Sequence, residues 1–112
     1  MNAFDASTRT QGQVTVIDMT GLLDRSAEEK MNEVFATALA RGAGTIVFNF
    51  SGVEYINSTG IALVVGALAK ARTAGRPVRA FGLSDHYREI FTITRLSDFM
   101  GIFSDESAAV AG

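Results

Sequence analysis

The stretch that most constrains this chain is Phe48-Asn-Phe-Ser-Gly-Val-Glu-Tyr-Ile-Asn-Ser-Thr-Gly-Ile-Ala-Leu-Val-Val-Gly-Ala67. The apolar run from Thr45 to Phe50 is too short for a helix and reads as a central strand covered on both faces. Ser51-Gly52 is expected to turn the chain, after which Val53, Tyr55 and Ile56 lead into Asn57-Ser58-Thr59-Gly60. From Ile61 to Ala71 the residues are apolar almost all round, so a helix over about 59–74 is expected to be the most buried element. Two adjacent hydroxyls and a glycine therefore stand at the mouth of a helix. Such an N-terminus leaves backbone N–H groups unpaired and carries partial positive charge, so it suits a hydroxyl cap and equally a phosphate.

The rest of the chain falls into order around this point. Residues 1–13 are polar and rich in Thr, Gln and Gly, the pattern of an edge strand with a turn at Gln11-Gly12. Val14 to Thr20 is rich in β-branched residues and reads as a strand that Gly21 ends. Asp24 or Ser26 offers an N-cap, with Glu28 and Glu29 in the first turn, where negative charge is favoured. Met31, Val34, Phe35, Ala38 and Leu39 recur at helical spacing through about Arg41, and Gly42 and Gly44 stop that helix. Lys70, Arg72 and Gly75 supply the cations and glycine expected at the end of the central helix, and Pro77 bars its continuation. Val78 to Leu83 is the next strand. Ser84 or Asp85 caps a helix with Tyr87, Ile90, Phe91 and Thr94 inward. Leu96 and Phe99 are expected to close a loop onto a short strand at Ile102-Phe103, and Asp105 to cap a last helical turn. The order β-β-α-β-α-β-α-β-α demands crossovers. The expected fold is α/β, with a four- to five-stranded mixed, mostly parallel sheet, about four helices and an antiparallel first strand at the edge.

One such sheet uses all 112 residues, so residues 1–112 are taken as a single domain with its core at about 12–105. A net charge of −2 with no basic cluster gives no electrostatic case for direct nucleic-acid binding. The absence of cysteine excludes disulfides and thiolate metal sites and fits the cytoplasm. No secretory signal is visible at the N-terminus, and the longest apolar run, Ile61 to Ala69, falls far short of the roughly 20 residues that span a bilayer.

Judged on residues alone, Ser58 is either a helix cap, the commoner use of a Ser-Thr pair, or a phosphate acceptor. Two hydroxyls exceed what one cap needs, and Gly60 is expected to let another molecule approach Ser58 closely. A phosphate there would add about −1.5 to −2 charges and three acceptor oxygens while exposed N–H groups stabilised it. A catalytic serine fits worse: Ile56 stands where a nucleophile elbow has its first glycine, and the lone histidine, His86, opens a different helix. The acidic residues show no metal-site spacing, and Asn49 and Ser51 occupy the strand end where a phospho-acceptor aspartate of a receiver domain would stand. No glycine-rich nucleotide loop is present.

Val16-Ile-Asp-Met-Thr-Gly-Leu-Leu-Asp24, Ile46-Val-Phe-Asn-Phe50, Tyr55-Ile-Asn-Ser-Thr-Gly-Ile61 and Gly75-Arg-Pro-Val78, in unbroken order, resemble the STAS domain. The chain looks most like the stand-alone form of that domain, the bacterial anti-sigma-factor antagonist. Gly21-Leu-Leu-Asp24 and Ser58-Thr-Gly60 are the most specific elements. The resemblance implies a non-enzymatic regulator without a cofactor, in which Ser58 is phosphorylated by a partner anti-sigma factor that is a serine-protein kinase. The unmodified protein would bind that partner and free a sigma factor, phosphorylation would dissociate it, and a metal-dependent serine phosphatase would reset the switch. Asp24, Asn57, Ser58, Thr59 and Gly60 are the implied partner-binding residues. Asn57 departs from the pattern, since phosphorylated members usually carry Asp there. The alternative is a non-phosphorylated STAS scaffold subunit of a signalling or transport complex, with Ser58 only a cap. A nucleotide-binding STAS module finds no phosphate loop here.

Overall fold

The computed structural model describes residues 2–112. The chain runs β1 (Asp5–Gln11), β2 (Val14–Leu23), a 3-10 turn (Arg25–Ala27), α1 (Glu28–Ala40), β3 (Ile46–Ile56) and α2 (Ser58–Thr73). It continues through β4 (Val78–Phe81), α3 (Asp85–Ile93), a second 3-10 turn (Leu96–Asp98), β5 (Gly101–Phe103) and α4 (Glu106–Ala111). The strands form one sheet in the order β1-β2-β3-β4-β5. β1 pairs antiparallel with β2, and every later neighbour is parallel. The mixed, mostly parallel sheet with four helices agrees with the alternation of periods in the sequence.

Because the parallel strands are neighbours in both sequence and space, right-handed crossovers carry α1, α2 and α3 to one face of the sheet. The main core lies there: Ile17, Met19, Ile46 and Phe48 of the sheet meet Met31, Phe35, Val64 and Phe91 of the helices. Phe35, Phe48, Phe50 and Phe91 form a chain of rings with successive centroids 5.8, 5.8 and 5.7 Å apart. The opposite face is left to α4, whose Ala109 packs on Val14, Val16, Val47 and Phe81. Among the described residues no helix is long and apolar enough to cross a membrane.

Several expectations are corrected. Gly21 does not end β2, which runs on to Leu23 through a register irregularity between Gly21 and Leu22. Gly21 takes φ 83, and a β-carbon there would lie 2.6 Å from the Asn2 carbonyl oxygen, so the N-terminal segment crosses too close for any side chain. Ser51-Gly52 does not turn the chain, because the extended β2 offers Thr20, Gly21, Leu22 and Leu23 as ladder partners for β3 as far as Ile56. β4 stops at Phe81, two residues short of Leu83. The central helix is not the most buried element: only Gly60, Val64, Ala67, Leu68 and Ala71 are buried on it, and Val65 is 47% exposed. Its outer face reads apolar because it is built of small residues, which water tolerates. Thr94 and Phe99 also point outward rather than closing the core.

α4 is fastened at both ends by arginines. At its start, Arg9 of β1 holds Asp18 (Nε to Oδ2 2.7 Å) and Glu106 (Nη2 to Oε1 2.6 Å, Nη1 to Oε2 2.8 Å), while Asn49 Nδ2 donates to Asp18 (2.8 Å). At its end, Arg79 donates to the Ala109 carbonyl (3.0 Å). The hydrogen bonds from Arg9 hold the Asp18 and Glu106 carboxyls below the ordinary carboxylate range, and those two acids hold Arg9 protonated. Both acids are depressed in the folded state, so the stabilisation is complete above their unfolded values and is lost as pH falls through the lower folded ones. Acidification below about pH 4 is expected to release α4 first, seen as selective NMR shifts of the Ala108–Ala111 amides. Glu106→Gln should produce the same shifts at neutral pH and cost only about 0.5–1 kcal/mol, since the network is about a third exposed. Unchanged α4 resonances in both experiments would show that the Arg9 network does not hold this helix, leaving the Arg79 bond and the apolar contact of Ala109 to do so.

Candidate functional site

The C-terminal ends of β2 and β3 lie side by side, with Leu23 paired to Ile56. Each strand hands over to a helical segment that begins with a side-chain cap. Asp24 Oδ1 accepts from Ser26 N (2.9 Å) and from the Ser26 hydroxyl (2.5 Å), which starts the 3-10 turn before α1. Asn57, extended at φ −103, uses Oδ1 to accept from Gly60 N (2.9 Å), and its carbonyl accepts the first helical bond from Ile61 N (2.9 Å). Asn57 N donates to the Leu23 carbonyl (3.3 Å), tying the two loops together. Asp24 and Asn57 thus stand on adjacent loops at the carboxyl edge of the parallel strands, where open α/β sheets commonly place their sites.

This geometry reassigns the residues of the motif. The cap is Asn57, not Ser58 or Thr59. Ser58 is the first residue of α2 and is exposed, and among the described residues nothing donates to or accepts from its hydroxyl. Thr59 is half-buried. Gly60 is buried and faces inward: a β-carbon there would overlap the Leu23 carbonyl oxygen and sit 2.8 Å from its carbon. Its lack of a side chain therefore serves the approach of α2 to β2, not the approach of another molecule to Ser58. The first turn of α2 contains no charged side chain, so the unpaired N–H groups and the helix dipole set the local field.

Tyr87 supports this loop in a way that sequence reasoning missed. The helical spacing puts it on the inner face of α3, and it is half-buried there, but its hydroxyl also accepts from Ile56 N (2.9 Å) at the last residue of β3. Only the fold reveals this, because the two residues are 31 positions apart. His86 is exposed in the first turn of α3, its ring 5.0 Å from that of Tyr87, and no hydrogen bond joins it to Ser58. Among the described residues no three His, Asp or Glu side chains gather where they could share a metal ion.

The family described as Mlab, STAS domain, matches residues 6–102. An anti-sigma-B factor antagonist of Staphylococcus aureus is 30% identical over 95 residues, covering 85% of this chain and 88% of the relative. A solved structure of a putative anti-sigma factor antagonist from Thermotoga maritima superposes with a TM-score of 0.83 at 19% identity, over 95% of this chain and 92% of that one. The Bacillus cell fate determinant SpoIIAA, solved in its phosphorylated form, superposes with a TM-score of 0.68 at 26% identity, over 95% and 96%. The match covers the sheet, its crossover helices and the loop that carries Asn57 and Ser58, and on that ground the chain belongs to the STAS domain family.

Proposed function

We propose that this protein is an anti-sigma-factor antagonist whose binding to an anti-sigma factor is switched by phosphorylation of Ser58. The observation that carries the reading is the division of labour at the head of α2. Asn57 performs the capping, so the Ser58 hydroxyl is left exposed and unengaged at a helix N-terminus. A serine that served as the cap would have its hydroxyl engaged by the first-turn N–H groups. The names of the relatives point the same way, and the phosphorylated form of SpoIIAA is a solved structure of this fold carrying the modification. The partner in this reading is an anti-sigma factor with serine-kinase activity, which contacts Asp24, Asn57, Ser58 and Thr59 and phosphorylates Ser58. A serine phosphatase restores the binding form. Gly60 contributes by placing the helix, not by contact. A doubly charged group introduced into a desolvated interface costs several kcal/mol unless cations meet it, enough to dissolve a micromolar complex.

Incubation with the candidate anti-sigma kinase, ATP and magnesium, read by intact mass, is expected to add one phosphate to the wild type and none to Ser58→Ala. Ser58→Asp is expected to weaken partner binding at least about 100-fold while leaving the melting temperature nearly unchanged, because a carboxylate in the first turn suits the helix dipole. Equal phosphorylation of wild type and Ser58→Ala would remove Ser58 from the mechanism. A scaffold subunit that is never phosphorylated is the second reading, favoured by the neutral Asn57 where phosphorylated members usually carry Asp. A wild type left without phosphate by the kinase would select it.

A further inference from the structure

A groove of about 700 Å³ opens between the C-terminal half of α2, the link from α2 to β4, and the chain that follows α3. Leu68, Pro77, Val78 and Leu96 line it, with Val65 and Phe99 also on its wall. Among the described residues four large hydrophobic side chains are exposed, and this groove holds two of them, Val65 (47%) and Phe99 (61%). A third, Ile93 (71%), adjoins the groove residue Thr94. Scattered exposed apolar residues are ordinary, but a cluster around a concavity of this size is the usual form of a small-molecule site.

The polar lining narrows the occupant. It contains three arginines and no carboxylate. Arg76 is spent on backbone carbonyls, Arg95 bonds Asp98 (2.9 Å), and among the described residues the Arg72 guanidinium has no hydrogen-bond or ion-pair partner. Guanidinium groups only donate, so the polar part of a ligand must accept and is best negative. Arg95 adds an independent observation. It is the one non-glycine among the described residues with positive φ (65), at the position after the end of α3 where glycine is favoured. A glycine would avoid the β-carbon penalty, so the arginine is held there at a backbone cost; only its Nε is engaged by Asp98, and among the described residues its Nη groups have no partner.

We propose that this groove binds a single acyl chain with an anionic head, a carboxylate or a phosphate. The chain lies against Leu68, Pro77, Leu96 and Phe99, and the head meets Arg72 and Arg95. This goes beyond the phosphorylation reading and does not depend on it: Ser58 opens α2 and Arg72 stands in its last turn, about 20 Å further along at the helical rise.

The test is calorimetric titration of the full chain with dodecanoate and, separately, with monododecyl phosphate, each below its micellar concentration. Saturable one-to-one binding of at least one, with Kd of roughly 10–100 μM, is expected for a ligand of this size, and the tighter of the two identifies the head. Arg72→Glu should weaken binding about tenfold or more, and Ala69→Trp, which fills the groove from an exposed position on α2, should abolish it. Arg95→Gly is the discriminating variant: it should weaken binding about threefold or more while holding or raising the melting temperature. Absence of saturable binding by both ligands, full binding by Ala69→Trp, unchanged binding by Arg95→Gly, or dodecanol bound as tightly as dodecanoate would each overturn the proposal.

Discussion

Gly60→Ala is expected to lower the unfolding free energy by about 3 kcal/mol or more, the upper range for a single added methyl group. The methyl would overlap the Leu23 carbonyl oxygen, a backbone atom held in the β2–β3 ladder, and it would lie 3.1 Å from Ile56 Cγ2. Neither neighbour is the free end of a flexible side chain, so α2 must move as a body. For a domain of this size the expected fall in melting temperature is about 12 °C or more. Gly66→Ala supplies the control within the same helix. Gly66 is exposed and a methyl added there would meet nothing within 4 Å, so the substitution should stabilise by about 0.5–1 kcal/mol through helix propensity. Opposite signs for one substitution at two positions six residues apart would establish close approach, rather than helix propensity, as the reason for glycine at Gly60. Equal effects would refute it.

Arg76→Met is expected to cost about 3 kcal/mol in denaturant unfolding, although Arg76 touches neither the Ser58 loop nor a carboxylate. Arg76 is 6% exposed, and its guanidinium closes the C-terminal end of α1 from the link between α2 and β4. Nε donates to the Gly44 carbonyl, Nη1 to Leu39 (3.2 Å) and Gly42 (3.1 Å), and Nη2 to Arg41 (3.0 Å). α1 has no basic residue in its own last turn, so Arg76 supplies both the cation that the helix dipole favours and the donors that the last carbonyls lack. Methionine keeps the volume and leaves those oxygens orphaned, partly re-solvated near the exposed Gly42 and Gly44 and dry near Ala38. Arg76→Lys should recover less than half of the loss, because one ammonium cannot span acceptors on so many residues. A cost under about 0.5 kcal/mol for Arg76→Met would mean that water serves the carbonyls equally well.

The head of α2 shows how far residues alone reach. Periodicity places a strand before Asn57 and a helix after Gly60, and both are there, because a spacing of two or of three to four is a local property of the chain. It also singles out Ser58 as the residue on which the functional question turns. It cannot divide the roles among four polar and small neighbours. Any of Asn57, Ser58 and Thr59 has the chemistry of a cap, and the backbone chose Asn57 by staying extended there through its pairing with the end of β2. The same pairing explains why Ser51-Gly52, a turn by composition, is strand: β2 continues past Gly21 and offers partners to it.

The order and type of the elements, the mixed sheet with its antiparallel first strand, and the family motif from Gly21 to Gly60 are all legible in the residues alone. Tertiary structure alone decided that Gly60 faces the Leu23 carbonyl, that Tyr87 holds the end of β3, that Arg76 closes α1, and that Val65 and Phe99 stand open on a groove. The division has one physical cause. Strand and helix periods are read over a few neighbouring residues, whereas a close backbone approach, a distant hydrogen bond and an unfilled concavity are set by where separate elements come to rest.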